Sequence, residues 1–456
     1  MMSAGSHRAV TRLLRELEVT SVDLEARTAA ATDRSGFARQ TVPDAVVYAR
    51  STRDVSLALR IAYEEGCAVV PRGAGTGLAG GSVASAGEIV IDVSGMRAIL
   101  ELDPREHLAV VQPGVLNHEI DEAAAAHGLF YAPDPGSTMI CSIGGNIATN
   151  AGGMRCAKYG VTRESVLALE VVLADGSIVR TGHRTLKGVA GYDLTALMIG
   201  SEGTLGIVTE ATVRLRPRPP KVATIAAWCV GAAEAATAVG AIVAAGVQPS
   251  MLELMDASTV RAVDALLGTD YAARPGALLL IQTDGFGADA EADEIQRVIA
   301  DVATSVLRAS DPGEAALLVR ARREAIPAVE RLGRVAICDI GVPRTRLAEA
   351  VAGVEQIAAA RGVEIFTIAH AGDGNMHPMV LLPDGATILE GAPHAALDDM
   401  FRLARRLGGT LTGEHGVGLV KREWLTDEVG EPVREVFAAI KSAFDPRGIL
   451  NPGKAI

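Results

Sequence analysis

At 456 residues the chain has room for about two to four domains, with cores that need neither disulfide nor metal to hold. Apolar residues at 49% and charged residues at 21% exclude disorder and coiled coil, and 43 Lys+Arg against 55 Asp+Glu, a formal net charge of -12, runs against a binder of nucleic-acid phosphates. The five cysteines, at positions 67, 141, 156, 229 and 338, form no CxxC pair, which excludes a disulfide framework and iron–sulfur or thioredoxin-like ligation and fits a reducing compartment. No apolar signal core stands near the N-terminus and no stretch of about 18 residues is cleanly apolar. The expectation is a cytoplasmic protein, with peripheral docking at the inner face of the membrane left open.

Residues 8–27 carry Leu13, Leu14, Leu17 and Leu24 at helical spacing and predict an outlying helix. A strand starts at 43–47, and Asp54 is the predicted cap of a helix bearing Val55, Leu59, Ala62 and Tyr63. Strands follow at 67–70, 88–93 and 108–111, with a helix over 117–127. Segments 166–173 and 177–180 form a hairpin about Asp175-Gly176. A strand over 207–215 runs into Arg216-Pro217-Arg218-Pro219-Pro220, where the pattern breaks and a domain boundary is predicted.

Beyond that run, strands at 222–230, 251–255 and 277–283 alternate with helices over 232–245, 257–267 and 288–303. A helical stretch over 317–332, a strand at 335–340, a helix, a strand at 364–370 and a mostly helical tail from about 395 complete the chain. The class is α+β. The second domain reads as a ferredoxin-like antiparallel sheet with helices on one face.

The 49 glycines cluster, and the clusters carry the chemistry. Gly75-Thr76-Gly77-Leu78-Ala79-Gly80 matches GxGxxG, but a poor helix former follows it, so a nicotinamide fingerprint is rejected; no GK[ST] supports a nucleotide-triphosphate loop. The string Arg72-Gly73-Ala74-Gly75-Thr76-Gly77 can still expose consecutive N–H groups to a pyrophosphate. A second, long irregular segment covers 133–153, and a third loop 197–209. Three such loops in one domain suit one large cofactor.

Two further strings stand out: His370-Ala371-Gly372-Asp373-Gly374-Asn375-Met376-His377, and Gly413-Glu414-His415-Gly416-Val417-Gly418. Two histidines and a carboxylate are a sound ligand set for zinc or manganese with one position left open. HExxH is absent, which excludes a metalloprotease of that type. A substrate carboxylate calls for an Arg fork, and Arg320, Arg322 and Arg323 are the candidates.

Together these segments resemble the vanillyl-alcohol oxidase, or PCMH-type, flavoprotein superfamily, and within it the branch of FAD-linked 2-hydroxy-acid oxidases and dehydrogenases that holds the glycolate oxidase catalytic subunit and D-lactate dehydrogenase. The resemblance implies an N-terminal helical segment over 1–38, a PCMH-type two-subdomain FAD-binding domain over 39–219 and a C-terminal substrate and metal domain over 220–456, whose tail is helical. By it, Arg72, Gly73, Ala74, Gly75, Thr76 and Gly77 cradle the FAD pyrophosphate. Pro133, Asp134, Thr138, Gly144, Gly145, Asn146, Thr149 and Gly152 line the ribityl and ring region. Glu202, Gly203, Gly206, Ile207 and Val208 meet the adenine side or the diphosphate, and Asn451 approaches the flavin.

The first loop lacks the His through which some relatives attach flavin, so non-covalent FAD is expected; Cys141 and Cys156 read as small buried thiols. The resemblance further makes His370, His377 and Glu414 the ligands of a divalent metal, zinc or manganese. His415 is then the base for the substrate hydroxyl and Arg322 the clamp on its carboxylate, while the C2 hydrogen passes as hydride to flavin N5.

Relatives acting on 2-hydroxyglutarate carry a Lys shortly before the position of Asp339, where this chain has Ile337, and Leu-Asn after the second His, where it has Pro378-Met379. Both changes favour glycolate, D-lactate or another short apolar substrate over a D-2-hydroxyglutarate-type one. The alternatives are a superfamily oxidase acting on an alcohol without a carboxylate, an alkyl-glycerone-phosphate synthase-like enzyme, or a non-enzymatic FAD-binding subunit. Electrons would leave to an iron–sulfur subunit, an electron-transfer flavoprotein or a quinone pathway, and a homodimer stays open.

Overall fold

The computed structural model describes residues 4–37, 39–185, 187–385, 388 and 390–456. Contacts divide the chain into two units, residues 1–151, 161–218 and 414–456 in the first and residues 152–160 and 219–413 in the second. The expected division kept 220–456 together; by contacts the tail from Glu414 belongs with the first unit.

In the first unit a four-stranded sheet runs in the order Thr20–Ser21, Ala45–Tyr48, Glu88–Asp92, Ala68–Arg72. Its last three strands are parallel, and Val46, Val47, Ile89, Val90 and Ile91 are buried, as parallel strands covered on both faces require. Helix Thr52–Glu65 covers one face through Leu59 and Ile61. Its cap is Ser51 rather than Asp54: the Ser51 side chain accepts from the Asp54 N–H, and Gly66 closes the far end at φ +67. The outlying helix predicted over 8–27 is two pieces, Ala4–Glu16 and Leu24–Ala29. Thr20–Ser21 interrupts them because it pairs with Val46–Val47 as the sheet edge.

The second sheet of this unit is antiparallel, in the order Ile99–Asp103, Leu108–Val111, Ile207–Arg214, Val166–Val172, Ile178–Gly182. The edge strand Ile99–Asp103 has no legible alternation, and it lies half exposed. The predicted hairpin turns at Gly176, φ +85, where a Cβ would come within 2.6 Å of the Ser56 carbonyl.

The second unit is one eight-stranded antiparallel sheet. Its order is Ala303–Arg308, Val222–Cys229, Ala277–Asp284, Met251–Met255, Ile365–His370, Asn375–Leu381, Val335–Ile337, with Ile340–Gly341 also on Asn375–Leu381. Numbered in chain order and read across the sheet, the four strands between 222 and 308 stand fourth, first, third, second, the ferredoxin-like arrangement, and the other strands extend it.

Helices cover both faces rather than one. Ala226, Trp228, Leu278, Leu280, Phe366 and Ile368 share a core with helices Ala257–Leu267, Pro312–Arg323 and Ala325–Glu330. On the opposite face Ile225, Ala227, Leu279 and Ile281 are equally buried, and helices Ala232–Ala244 and Ala288–Ile299 lie on those strands. A central strand with no polar face needs cover on both sides.

Candidate active site

The three glycine-rich segments of the first unit pack on one another. Loop 73–81 leaves strand Ala68–Arg72 and meets the second segment at Ser142, whose Oγ accepts from the Ala74 N–H at 3.2 Å; a Cβ on Gly73 would stand 2.5 Å from that oxygen. The second segment is not irregular throughout: residues Ile143–Thr149 form a short helix, made possible where Gly144 sits against Pro113. Buried Asn117, which the sequence did not single out, ties the segment together. Its Nδ2 donates to Pro133 O and Thr138 Oγ1, and its Oδ1 accepts from Asn146, each at 3.0 Å. Thr149 Oγ1 donates back to Gly145 O at 3.3 Å, and Asp134 is buried.

The third loop joins the other two. Glu202 N–H donates to Ala148 O at 2.8 Å, and Gly203, at φ +70, lies so close to Pro71 that a Cβ would stand 2.8 Å from it. Gly206 packs on Val171, and Ile207 and Val208 pair with Val172 and Val171 in the antiparallel sheet. Gly152 counts with the second unit.

Several of these side chains have work inside the protein. Arg72 folds over Gly75 and donates to Thr32 O at 2.8 Å. The Glu202 carboxylate accepts from the N–H groups of Val417 and Gly418 at 2.8 and 2.9 Å, so it holds the loop that follows His415. Burial pushes that carboxyl above its ordinary value, against the pull of those two donors. Asn451, at φ +43, donates to Gly81 O and Glu202 O and accepts from Lys454. By contrast, among the described residues no acceptor meets the N–H groups of Gly75, Thr76 or Gly77. Three successive uncommitted donors beside a glycine at φ +69 fit the oxygens of a pyrophosphate.

None of the five cysteines forms a disulfide among the described residues. Burial raises the Cys141 thiol, which disfavours a thiolate there, and Cys156 is only half buried.

In the second unit the two histidines of the first string belong to a hairpin. His370 ends strand Ile365–His370 and His377 sits in strand Asn375–Leu381; the register pairs His370 with Asn375 and Ile368 with His377. Gly374, at φ +86, makes the turn, where a Cβ would strike Val342 O at 2.1 Å. Both rings therefore lie on one face of the sheet, buried, with centroids 5.1 Å apart and planes at 85°. Each offers a ring nitrogen within 4.8 Å of the other.

Two carboxylates back them. Glu253, opposite His370 in strand Met251–Met255, has both oxygens 2.9 Å from His370 Nδ1, and its Oε2 lies 2.7 Å from Arg322 Nη2. Asp339 Oδ1 lies 3.8 Å from His377 Nδ1, while Oδ2 accepts from Thr412 Oγ1 at 2.7 Å. The strand predicted over 335–340 is broken between Val335–Ile337 and Ile340–Gly341, and this break turns Asp339 fully inward. A neutral His370 that donates from Nδ1 to Glu253 carries its lone pair on Nε2. Two imidazoles with ring nitrogens this close are a donor set that fits a divalent cation. Arg322 is buried and arrives from helix Pro312–Arg323; its Nε–H has no acceptor among the described residues. Glu414 and His415 open the tail of the first unit, Glu414 Oε1 3.9 Å from His415 Nε2.

Glu253 and Asp339 are the acidic residues that sequence reasoning did not place in the site. A carboxylate at the centre of Met251-Leu252-Glu253-Leu254-Met255 is itself a signal, since a charge survives in such a strand only when paired.

Comparison with known proteins decides the family. The profile of the C-terminal domain of FAD-linked oxidases matches residues 218–455, and that of an FAD binding domain matches 43–182. The glycolate oxidase subunit GlcD of Bacillus subtilis is 44% identical over 421 residues, covering 91% of this chain and 89% of that protein. The chain belongs to the FAD-linked oxidases. A D-lactate dehydrogenase of Archaeoglobus fulgidus is 36% identical over 90% of this chain and 91% of its own. The solved structure of p-cresol methylhydroxylase, 17% identical, superposes with a TM-score of 0.84 over 100% of this chain and 97% of that one, and so shares the fold. This FAD-linked oxidase is thus a flavin-dependent oxidoreductase of PCMH-type fold, with FAD as its cofactor.

Proposed function

We propose that this flavoprotein oxidises a small 2-hydroxy acid of the glycolate or D-lactate type to the 2-oxo acid. The C2 hydrogen leaves as hydride with its electron pair, and the hydroxyl proton goes to His415. The observation that carries the reading is the polar cluster of His370, His377 and Arg322, buried with Glu253 on one face of the sheet. Buried cationic and imidazole groups in such a place are sites for a charged ligand. The names of the relatives, glycolate oxidase subunit and D-lactate dehydrogenase, support the same substrate class.

When bound, FAD supplies the hydride acceptor, and a divalent zinc or manganese supplies charge that favours the alkoxide. FAD is held without a covalent bond by loop 72–77 and the segments packed on it. His370 and His377 hold the metal. Glu414 is its third ligand on grounds of chain continuity: it follows Gly413 by one peptide bond, and Gly413 packs on Asn375, within the hairpin of the two histidines. Arg322 receives the substrate carboxylate through N–H groups that Glu253 leaves open. His415, an imidazole able to accept a proton, takes the one that leaves the hydroxyl.

Ile337 and Pro378 favour a substrate with no second carboxylate. Delivery of electrons to an iron–sulfur subunit, an electron-transfer flavoprotein or a quinone pathway, in a cytoplasmic setting, belongs to the same proposal. Among the described residues no helix is long and apolar enough to cross a membrane.

The test is anaerobic mixing of the FAD-loaded protein with glycolate, D-lactate, L-lactate and D-2-hydroxyglutarate. Bleaching of the oxidised flavin band by glycolate or D-lactate is expected. A band that only D-2-hydroxyglutarate, or only an alcohol without a carboxylate, bleaches overturns the substrate class.

A further inference from the structure

Glu253 stands in the middle of strand Met251–Met255, where all five residues are buried and Glu253 itself is 1% exposed. A lone carboxylate in such a core costs several kcal/mol, so its partners define it. They are two groups from distant parts of the chain. Arg322 comes from the helix above the sheet face, and His370 lies directly across the strand pair. The carboxylate meets both at once, with Oε2 2.7 Å from the guanidinium and both oxygens 2.9 Å from His370 Nδ1.

The contacts bring Arg322 and His370 onto one carboxylate from two different elements, a helix and a strand. A neutral ring that donates from Nδ1 to this carboxylate carries its lone pair on Nε2. The comparison with His377 is internal: its carboxylate, Asp339, stands at 3.8 Å, beyond hydrogen-bond reach, and is engaged by Thr412.

We propose that Glu253 is a positioning residue that ties the cation site to the substrate-carboxylate site, fixing the tautomer and plane of His370 and the fork of Arg322 through one carboxylate. The inference rests on the reading of His370 as a cation ligand. A histidine ligand backed by a carboxylate holds its metal more tightly, and removal of such a partner typically costs roughly 10–100-fold in affinity. A carboxylate that only pins the helix to the sheet would instead affect stability and leave the affinity of the folded protein unchanged.

The test measures zinc and manganese affinity of the full-length, FAD-loaded protein by competition with a chelator. Glu253→Gln is expected to weaken metal binding roughly 10–100-fold at unchanged FAD content, and to raise KM for the hydroxy acid. Glu253→Asp, which keeps the charge, is expected to recover part of the loss, and Asp339→Asn to weaken binding less than Glu253→Gln. Folded Glu253→Gln protein that binds metal within about twofold of the parent overturns the inference. Should that variant fail to fold, Glu253→Gln/Arg322→Met removes both charges of the pair; parental metal affinity there overturns it equally. A parent that binds metal no better than His370→Ala removes the cation reading itself, and the inference with it.

Discussion

The glycine loops of the first unit and the sheet face of the second offer opposite kinds of chemistry. In the loops the useful atoms are backbone N–H groups at Gly75, Thr76 and Gly77, and many of the polar side chains nearby are engaged elsewhere in the protein. On the sheet face the useful atoms are side chains, His370, His377 and Glu253 aimed by strand register and Arg322 by its helix, and the strand backbone is spent on the ladder. A cofactor cradle made of backbone tolerates changed side chains but not an added Cβ. A side-chain pocket tolerates neither a lost charge nor a shifted strand.

Four experiments sharpen or break that contrast. The largest effect is expected at His415: His415→Ala should slow flavin reduction by roughly 10²–10⁴-fold with FAD still bound, as read by rapid anaerobic mixing. Reduction at the parental rate would remove the base assignment. Next is Arg322. Replacement by Ala strands the Glu253 charge in the core, so the informative change is Arg322→Lys, which keeps the charge and loses the fork. It should lower kcat/KM for carboxylate substrates roughly 10–100-fold, the worth of a charged hydrogen bond, with little change in FAD content.

Gly203→Ala tests the other side of the contrast. It places a Cβ at φ +70 against Pro71, a strain of about 1–2 kcal/mol before the contact is counted. FAD retained through gel filtration should fall while the His370–His377 pocket keeps its metal affinity. Equal loss of both would show that the two regions fail together.

The smallest effect concerns Lys454, whose ammonium burial pulls down from 10.5 to about 8. The unfolded chain keeps that proton to higher pH, so the native state gains relative stability as pH rises from about 8 toward 10.5. Lys454→Met lacks that gain, and denaturant unfolding at several pH values should show its stability falling relative to the parent across the same window.

The contrast also explains what was legible in the sequence. Glycine runs announce themselves in composition, and the loops built from them were readable even where a short helix at Ile143–Thr149 was not. The pair His370 and His377 was legible as a string because the two are close in the chain, but the strand Asn375–Leu381 that makes them a hairpin was not predicted. Glu253 was not placed with them: it lies 117 residues from His370, and only the sheet order brings the two strands together. Asp339 was hidden inside a predicted strand that the structure breaks at that residue. Helices on both faces of the second sheet were missed because the same apolar strand suits either arrangement, and burial on both sides is decided only by packing.

The central claim is that the hydrogen on C2 of a hydroxy acid passes to the flavin of this protein. It is tested most directly by anaerobic mixing of the FAD-loaded protein with glycolate and D-lactate, each with and without deuterium at C2. The account predicts that one of the two bleaches the oxidised flavin and does so more slowly when deuterated. A flavin left fully oxidised by both acids would contradict it.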